Sequence, residues 1–244
     1  MMRIDKREAE DLREIAIEAN PLRFAEGSCE IRWGRNRILC AATVEGTVPK
    51  WLAGQGKGWV TAEYAMLPRS TRQRIVRDSQ RSKPNSRGLE IQRIIGRSLR
   101  AVVDLKALGE RTITIDCDVI EADGGTRTAC ITGGFVALAL AAKQMREQEQ
   151  LGKNAKLLRD YVAAVSVGIV EGRRVVDLNY MEDSQAETDM NIVMTGEGRF
   201  VEVQGTAEGQ AFPREELDAL LDMGSRAVSR LVALQRNLVD ISGL

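Results

Sequence analysis

The segment Asp123-Gly124-Gly125-Thr126-Arg127-Thr128 places a glycine pair, two hydroxyls and a guanidinium in one short turn. Those residue types suit an oxyanion. Glycine lets backbone amides approach a ligand closely, a helix starting here adds unpaired N–H groups with partial positive charge, and Arg127 offers a planar fork. The same residues also make an ordinary tight turn, with Thr126 or Thr128 capping the helix.

Two further clusters carry charge suited to chemistry. Asp177, Glu182, Asp183, Glu187 and Asp189 crowd one short stretch. Such a group either faces water as a solvated loop or converges on a hard cation such as Mg²⁺, which takes one or two carboxylates together with water and phosphate oxygens. Arg69, Arg72, Arg74, Arg77 and Arg81 lead on to Lys83 and Arg87. Too polar for a core, this run is either a charged loop or an arm that tracks phosphates, for which the bidentate arginine fork is better fitted than lysine.

Composition removes several chemistries. The 244 residues include 0 histidines, which excludes a Ser-His-Asp hydrolase, a Cys-His protease and a histidine-bound zinc site. Any catalysis must come from carboxylates, arginines, backbone amides and a hard cation. With 35 basic residues against 35 acidic ones, no global field draws the chain to nucleic acid, so such binding needs a local patch. Cys29, Cys40, Cys117 and Cys130 show no paired metal-ligand spacing and read as reduced core thiols. The hydrophobic content of 43% can bury a full core. No signal-peptide pattern and no apolar run of about 18 residues is evident, giving the expectation of a soluble, cytoplasmic protein with no membrane segment.

The elements that must position these groups follow from periodicity. Thr112 to Ile120 alternates, with Ile113, Ile115, Cys117 and Val119 on one face, as a half-buried strand does. Thr128 to about Lys143 is nearly all apolar, predicting a helix buried on most sides. Hairpins are expected around Gly34 and around Glu171-Gly172, with Ser28, Ile31, Gly34, Arg35 and Ile38 matched at one offset by Ser166, Ile169, Gly172, Arg173 and Val176. Amphipathic helices are expected from Ser86 to Leu105 and from Pro213 to Leu238. Gly54-Gln55-Gly56-Lys57-Gly58 lacks the spacing of an ATPase loop and reads as a turn, while Trp33, Trp51 and Trp59 read as core residues.

Read in order, four motifs go together: Arg87-Gly88-Leu89-Glu90-Ile91-Gln92-Arg93-Ile94-Ile95-Gly96-Arg97, then Ile115 to Thr128, then Glu182-Asp183 with Asp189-Met190-Asn191, then Glu202-Val203-Gln204-Gly205-Thr206-Ala207-Glu208-Gly209. They resemble the ribonuclease PH family of bacteria over about Arg3 to Leu238. The resemblance implies an α/β fold of mixed sheets, a sheet-plus-helix unit duplicated in a single domain with halves of about 1–110 and 111–244. It implies a phosphorolytic 3′→5′ exoribonuclease, or tRNA nucleotidyltransferase, that trims tRNA precursors and releases nucleoside diphosphates reversibly. The family's phosphate site falls on Arg87, Gly125, Thr126 and Arg127. Its catalytic or metal-binding acids, for Mg²⁺ or Mn²⁺, fall on Asp183 and Asp189, and its RNA-binding arginines on Arg69, Arg72, Arg74 and Arg77. The implied assembly is a homo-hexamer built as a trimer of dimers. A non-catalytic RNA-binding subunit of an exosome-like ring would keep the arginines and lose the acids or the glycine turn, and here both are present. Cys130 and Gly134 depart from the family pattern inside a helix, away from the implied site.

Overall fold

Alternating burial along the expected strands builds a five-stranded sheet. In a computed structural model of the chain, which describes Arg3 and residues 5–82 and 85–244, this sheet runs in the order β1 (Ile15–Ala19), β2 (Gly27–Trp33), β3 (Asn36–Glu45), β5 (Thr112–Glu121), β4 (Trp59–Met66). On β5, Ile113, Ile115, Cys117 and Val119 are buried while Asp118 faces solvent. The β4–β5 pair is parallel, so the chain must cross over between them, and α1 (Ser86–Arg100) and α2 (Leu105–Leu108) lie on that path. Helix α1 stops short of the expected Leu105. Val102 and Val103 turn into the core, Val103 bridges to Leu158, and Asp104 caps α2 by accepting from the amides of Lys106 and Ala107.

The second sheet is antiparallel throughout, in the order β7 (Arg173–Val176), β6 (Val162–Val170), β8 (Thr188–Thr195), β9 (Phe200–Ala207). The hairpins turn where expected, at Gly34-Arg35 and Glu171-Gly172. Helix α3 (Thr126–Glu147) packs against β2 and β3 of the first sheet and β6 of the second, and α5 (Arg214–Leu238) packs on the second sheet. A helix with strands on both sides must be apolar all round, which is why α3 carries so little polarity. Its apolar stretch does reach membrane-spanning length, contrary to the reading of the bare sequence, but it is almost wholly buried inside the fold.

Trp33 is fully buried, whereas Trp51 is exposed, not in the core as expected: its ring meets Trp59 edge-on at 4.9 Å. All four cysteines are buried and unpaired, the Cys40 and Cys117 sulfurs lying 3.8 Å apart. Phe135 sits at the middle of α3, 0% exposed and 5.5 Å from the Tyr161 ring. Phe135→Ala removes a large side chain where two sheets and a helix meet and costs about 3–5 kcal/mol. Urea unfolding checks this, and a loss below about 1 kcal/mol contradicts it.

Candidate active site

The turn after β5 is held by its carbonyls and by the Asp123 amide, which donates to Asn36 Oδ1 at 2.7 Å, leaving the later amides at the helix start free. Arg13 donates to the carbonyls of Asp123 at 2.6 Å and Gly124 at 3.2 Å, and Asn36 donates to the Gly124 carbonyl at 2.6 Å. The Tyr180 amide reaches the Asp123 carbonyl at 3.1 Å, and the Thr128 hydroxyl donates to that of Gly125 at 2.9 Å. Gly125 is the N-cap of α3 in the left-handed region, with no side chain over the helix start. Neither threonine caps the helix. Thr126 exchanges a hydrogen bond with the Tyr64 hydroxyl at 2.9 Å instead. Among the described residues no acceptor serves the amides of Gly125, Thr126 and Arg127, so three donors stand at the positive end of the α3 dipole. Gly124 (φ 75°) has no substitute here: a Cβ would lie 2.6–2.9 Å from the backbone of Leu178, Asn179 and Tyr180.

Asp177 anchors the turn from the other side. Its carboxylate accepts from the Arg13 amide at 2.7 Å, from Arg13 Nε and Nη2 at 3.0 and 2.6 Å, from Trp33 Nε1 at 2.9 Å and from Arg7 at 3.2 Å. It is itself held at φ 58°, a left-handed conformation uncommon outside glycine. Glu182 is likewise occupied. Arg3 grips it with two bonds of 2.7 Å, and it closes a capping box with Asn179 at the start of α4 (Tyr180–Asp183). Glu187 accepts from the Gly172 amide at the β6–β7 turn. Of the five clustered carboxylates, only Asp183 and Asp189 remain for chemistry.

These two face the glycine turn across a cleft of about 320 Å³ lined also by Arg87, Gly125, Thr126 and Arg127. All six residues of the expected phosphate and acid sites therefore meet in one place. Among the described residues neither acid accepts a hydrogen bond. Burial, then the charge of Asp183, pushes Asp189 up to about 6, against the pull of Arg127 and Arg87. Burial raises Asp183 too, offset by Arg87, Arg127 and Arg13. Arg127 is steadied by donating to Gln204 at 2.7 Å, and Gln204 in turn donates to Glu90 at 2.9 Å; its Nε finds no acceptor. Arg87 makes no hydrogen bond or ion pair among the described residues.

Reasoning from sequence missed several of the residues that build this site. Arg13, Asn36 and Trp33 position the turn and the acids but lie far away in the chain, without a local signal. Ser166 and Asn191 line the cleft, Ser166 accepting the Leu178 amide at 3.0 Å. The four arginines of the arm do not line the phosphate cleft, although Thr71 between them does. Arg69, Arg72, Arg74 and Arg77 are all exposed, and Arg69 and Arg72 border a neighbouring cavity.

An α/β fold with an amide-and-guanidinium cradle opposite two half-buried acids has the donor arrangement that suits an oxyanion. The model of the 3′ exoribonuclease family matches as domain 1 over residues 11–144 and domain 2 over residues 160–227. Ribonuclease PH of Bacillus cereus (strain G9842) is 55% identical over 236 residues, covering 96% of each chain. Among solved structures, rice Rrp46 superposes with TM-score 0.78 at 18% identity over 98% of this chain and 100% of its own. An Archaeoglobus fulgidus exosome subunit with RNA bound to the active site gives 0.74 at 22% over 94% and 91%. The chain belongs to the 3′ exoribonuclease family.

A carboxyl group whose folded pKa lies above its unfolded value of 3.8 binds more protons in the folded state between those values. Ionised Asp189 therefore costs stability, a cost present above about pH 6 and lost as pH falls toward 4. In metal-free protein, Asp189→Asn should raise the Tm at pH 7.5, with the gain shrinking at pH 5. Thermal unfolding at both values checks this. A variant no more stable than wild type at pH 7.5 contradicts it.

Proposed function

We propose that the chain is a phosphate-dependent 3′→5′ exoribonuclease that shortens tRNA precursors and other RNA from the 3′ end, releasing nucleoside diphosphates. One observation carries the reading: the free amides at the start of α3, with Arg87 and Arg127, stand across a single cleft from Asp183 and Asp189. The similarity to the B. cereus ribonuclease PH supports the RNA substrate.

Inorganic phosphate is anionic near neutral pH and needs no base to become a nucleophile, which suits a chain without histidine. The amides of Gly125, Thr126 and Arg127 with the two guanidiniums hold it against the last phosphodiester and neutralise its charge. A phosphate oxygen attacks the phosphorus. The bond to the 3′-oxygen of the preceding nucleotide breaks, and that oxygen leaves as a hydroxyl once it gains a proton. With no cation on the pair, Asp189, raised by burial, is the acid suited to supply it. Exchanging a phosphodiester for a phosphoanhydride leaves the free energy little changed, so excess nucleoside diphosphate extends RNA.

No group of three or more ligating side chains occurs among the described residues, so an all-protein metal cage is lacking. Two carboxylates without hydrogen-bond donors among the described residues, the charge of Asp183 raising Asp189, fit Mg²⁺ or Mn²⁺, which completes its shell with water and phosphate oxygens. Asp183 and Asp189 would hold it, and it would supply charge neutralisation at the scissile phosphate. The assembly we favour is a homo-hexamer, a trimer of dimers. The unpaired edge of β9 and the exposed Phe24 and Phe200 offer surface for such contacts, and four unpaired thiols suit a cytoplasmic setting.

A 3′-extended tRNA should be shortened only when phosphate is supplied, with diphosphates as products; shortening in phosphate-free buffer contradicts the reading. Arg127→Ala should lower kcat/KM for phosphate about 10²–10³-fold, while RNA affinity in a filter-binding assay falls far less. Equal losses for both ligands refute that division. Asp189→Asn should fold and assemble yet lose nearly all turnover, and substantial activity would mean that another group supplies the proton.

A further inference from the structure

A second cavity lies beside the end of β5, lined there by Glu121, Ala122 and Asp123. It encloses about 630 Å³ and is bordered by Arg32, Arg35, Arg37, Arg69 and Arg72, against the acidic Glu121 and Asp123. Five guanidiniums against two carboxylates leave it basic in a chain whose overall charge is balanced. The arginines are not equivalent. Arg32 and Arg37 are both spent on Glu30, at 2.7 and 2.9 Å. Arg35, at the tip of the β2–β3 turn, makes no ion pair among the described residues, and the side chain of Arg72 makes none either. Arg69 reaches only the Arg72 carbonyl, at 3.5 Å. Three of the five thus have donors to spare.

The cavity also borders the phosphate cleft. Thr71 and Ala122 line both spaces. The arm is fixed at this seam, since the Ala122 amide donates to the Ser70 carbonyl at 2.9 Å and Ser70 is buried. An RNA strand whose last phosphodiester lies beside Asp183 and Asp189 must leave the cleft upstream. Beyond the shared Thr71 and Ala122, the adjoining cavity carries guanidiniums without an ion pair among the described residues, Arg35, Arg69 and Arg72.

We infer that this cavity is an upstream phosphate subsite, in which Arg35 of the β2–β3 turn joins Arg69 and Arg72 in holding the RNA backbone a few nucleotides before the scissile bond. The inference rests on the exoribonuclease reading and deepens it. It gives the enzyme a minimum substrate length: a strand too short to cross the seam cannot use Arg35. Contacts of this kind go to the backbone and carry no sequence preference.

The test uses full-length protein and compares phosphorolysis of an RNA with about four nucleotides upstream of the scissile bond against one with about 20, spanning the usual range of single-strand site sizes. Arg35→Glu should raise KM for the long strand roughly tenfold more than for the short one, and should lower the slope of log KM against log salt for the long strand by about 0.7 or more. Arg199→Glu, which changes the net charge equally from outside the cavity, should show no such difference between lengths. Because the Arg35 side chain is exposed and unpaired, the variant should unfold at the wild-type temperature. Equal effects of Arg35→Glu on both lengths, or the same length dependence in Arg199→Glu, overturn the inference. A wild-type enzyme inactive on both strands with phosphate present would instead overturn the exoribonuclease reading itself.

Discussion

The ion pair between Arg13 and Asp177 is the interaction on which the site depends. Both side chains are buried, at 6% and 2% exposure. Removing such charges from water costs several kcal/mol each, offset here by multiple short bonds to each partner. The pair's value lies in geometry. One guanidinium neutralises Asp177 with two of its nitrogens and uses the remaining donors on the Asp123 and Gly124 carbonyls. The first sheet's turn is thereby tied to the segment leading into α4, which bears Asp183. Turning the carbonyls inward turns the amides outward, so an interaction that touches no substrate decides which way the cradle faces.

The acids occupy the opposite situation. Asp177 and Glu182 are saturated with donors, whereas Asp183 and Asp189 receive none among the described residues, and the charge of Asp183 opposes ionisation of Asp189. An arrangement that costs stability persists at a site that uses it. The arginines opposite them are partly satisfied: Arg127 is aimed by Gln204, and Arg87 has no partner among the described residues. A cradle with donors to spare and a pair of acids with none is the charge pattern that a phosphate, with a proton or a cation, completes.

Much of this was legible in the sequence, for a physical reason. The β5 strand, the glycine pair and the apolar α3 follow from local periodicity and from the needs of a strand-to-helix turn, so Gly125, Thr126 and Arg127 announce themselves. The two acids that line the cleft do not. In sequence Asp177, Glu182, Asp183, Glu187 and Asp189 are alike, and only distant partners, the N-terminal arginines with Trp33 for Asp177 and Glu182 and the Gly172 amide for Glu187, separate those committed to structure from the other two. An Arg13–Asp177 contact spans 164 positions and leaves no periodic trace. Trp51 fails as a core residue because residues 46–58 form a turn-rich excursion between β3 and β4, where an indole can lie on the surface against Trp59. The motif resemblance identified Asp183 and Asp189 where local chemistry left five carboxylates equivalent.

The most direct measurement is the affinity of Arg13→Lys for inorganic phosphate by titration calorimetry, with circular dichroism to verify the fold. A lysine keeps the charge beside Asp177 but cannot reach that carboxylate and both loop carbonyls together. The account predicts a folded protein whose phosphate affinity falls at least about tenfold, the equivalent of 1.4 kcal/mol. A variant that binds phosphate as tightly as wild type would show that the cradle faces the acids without Arg13, and the central claim would fail.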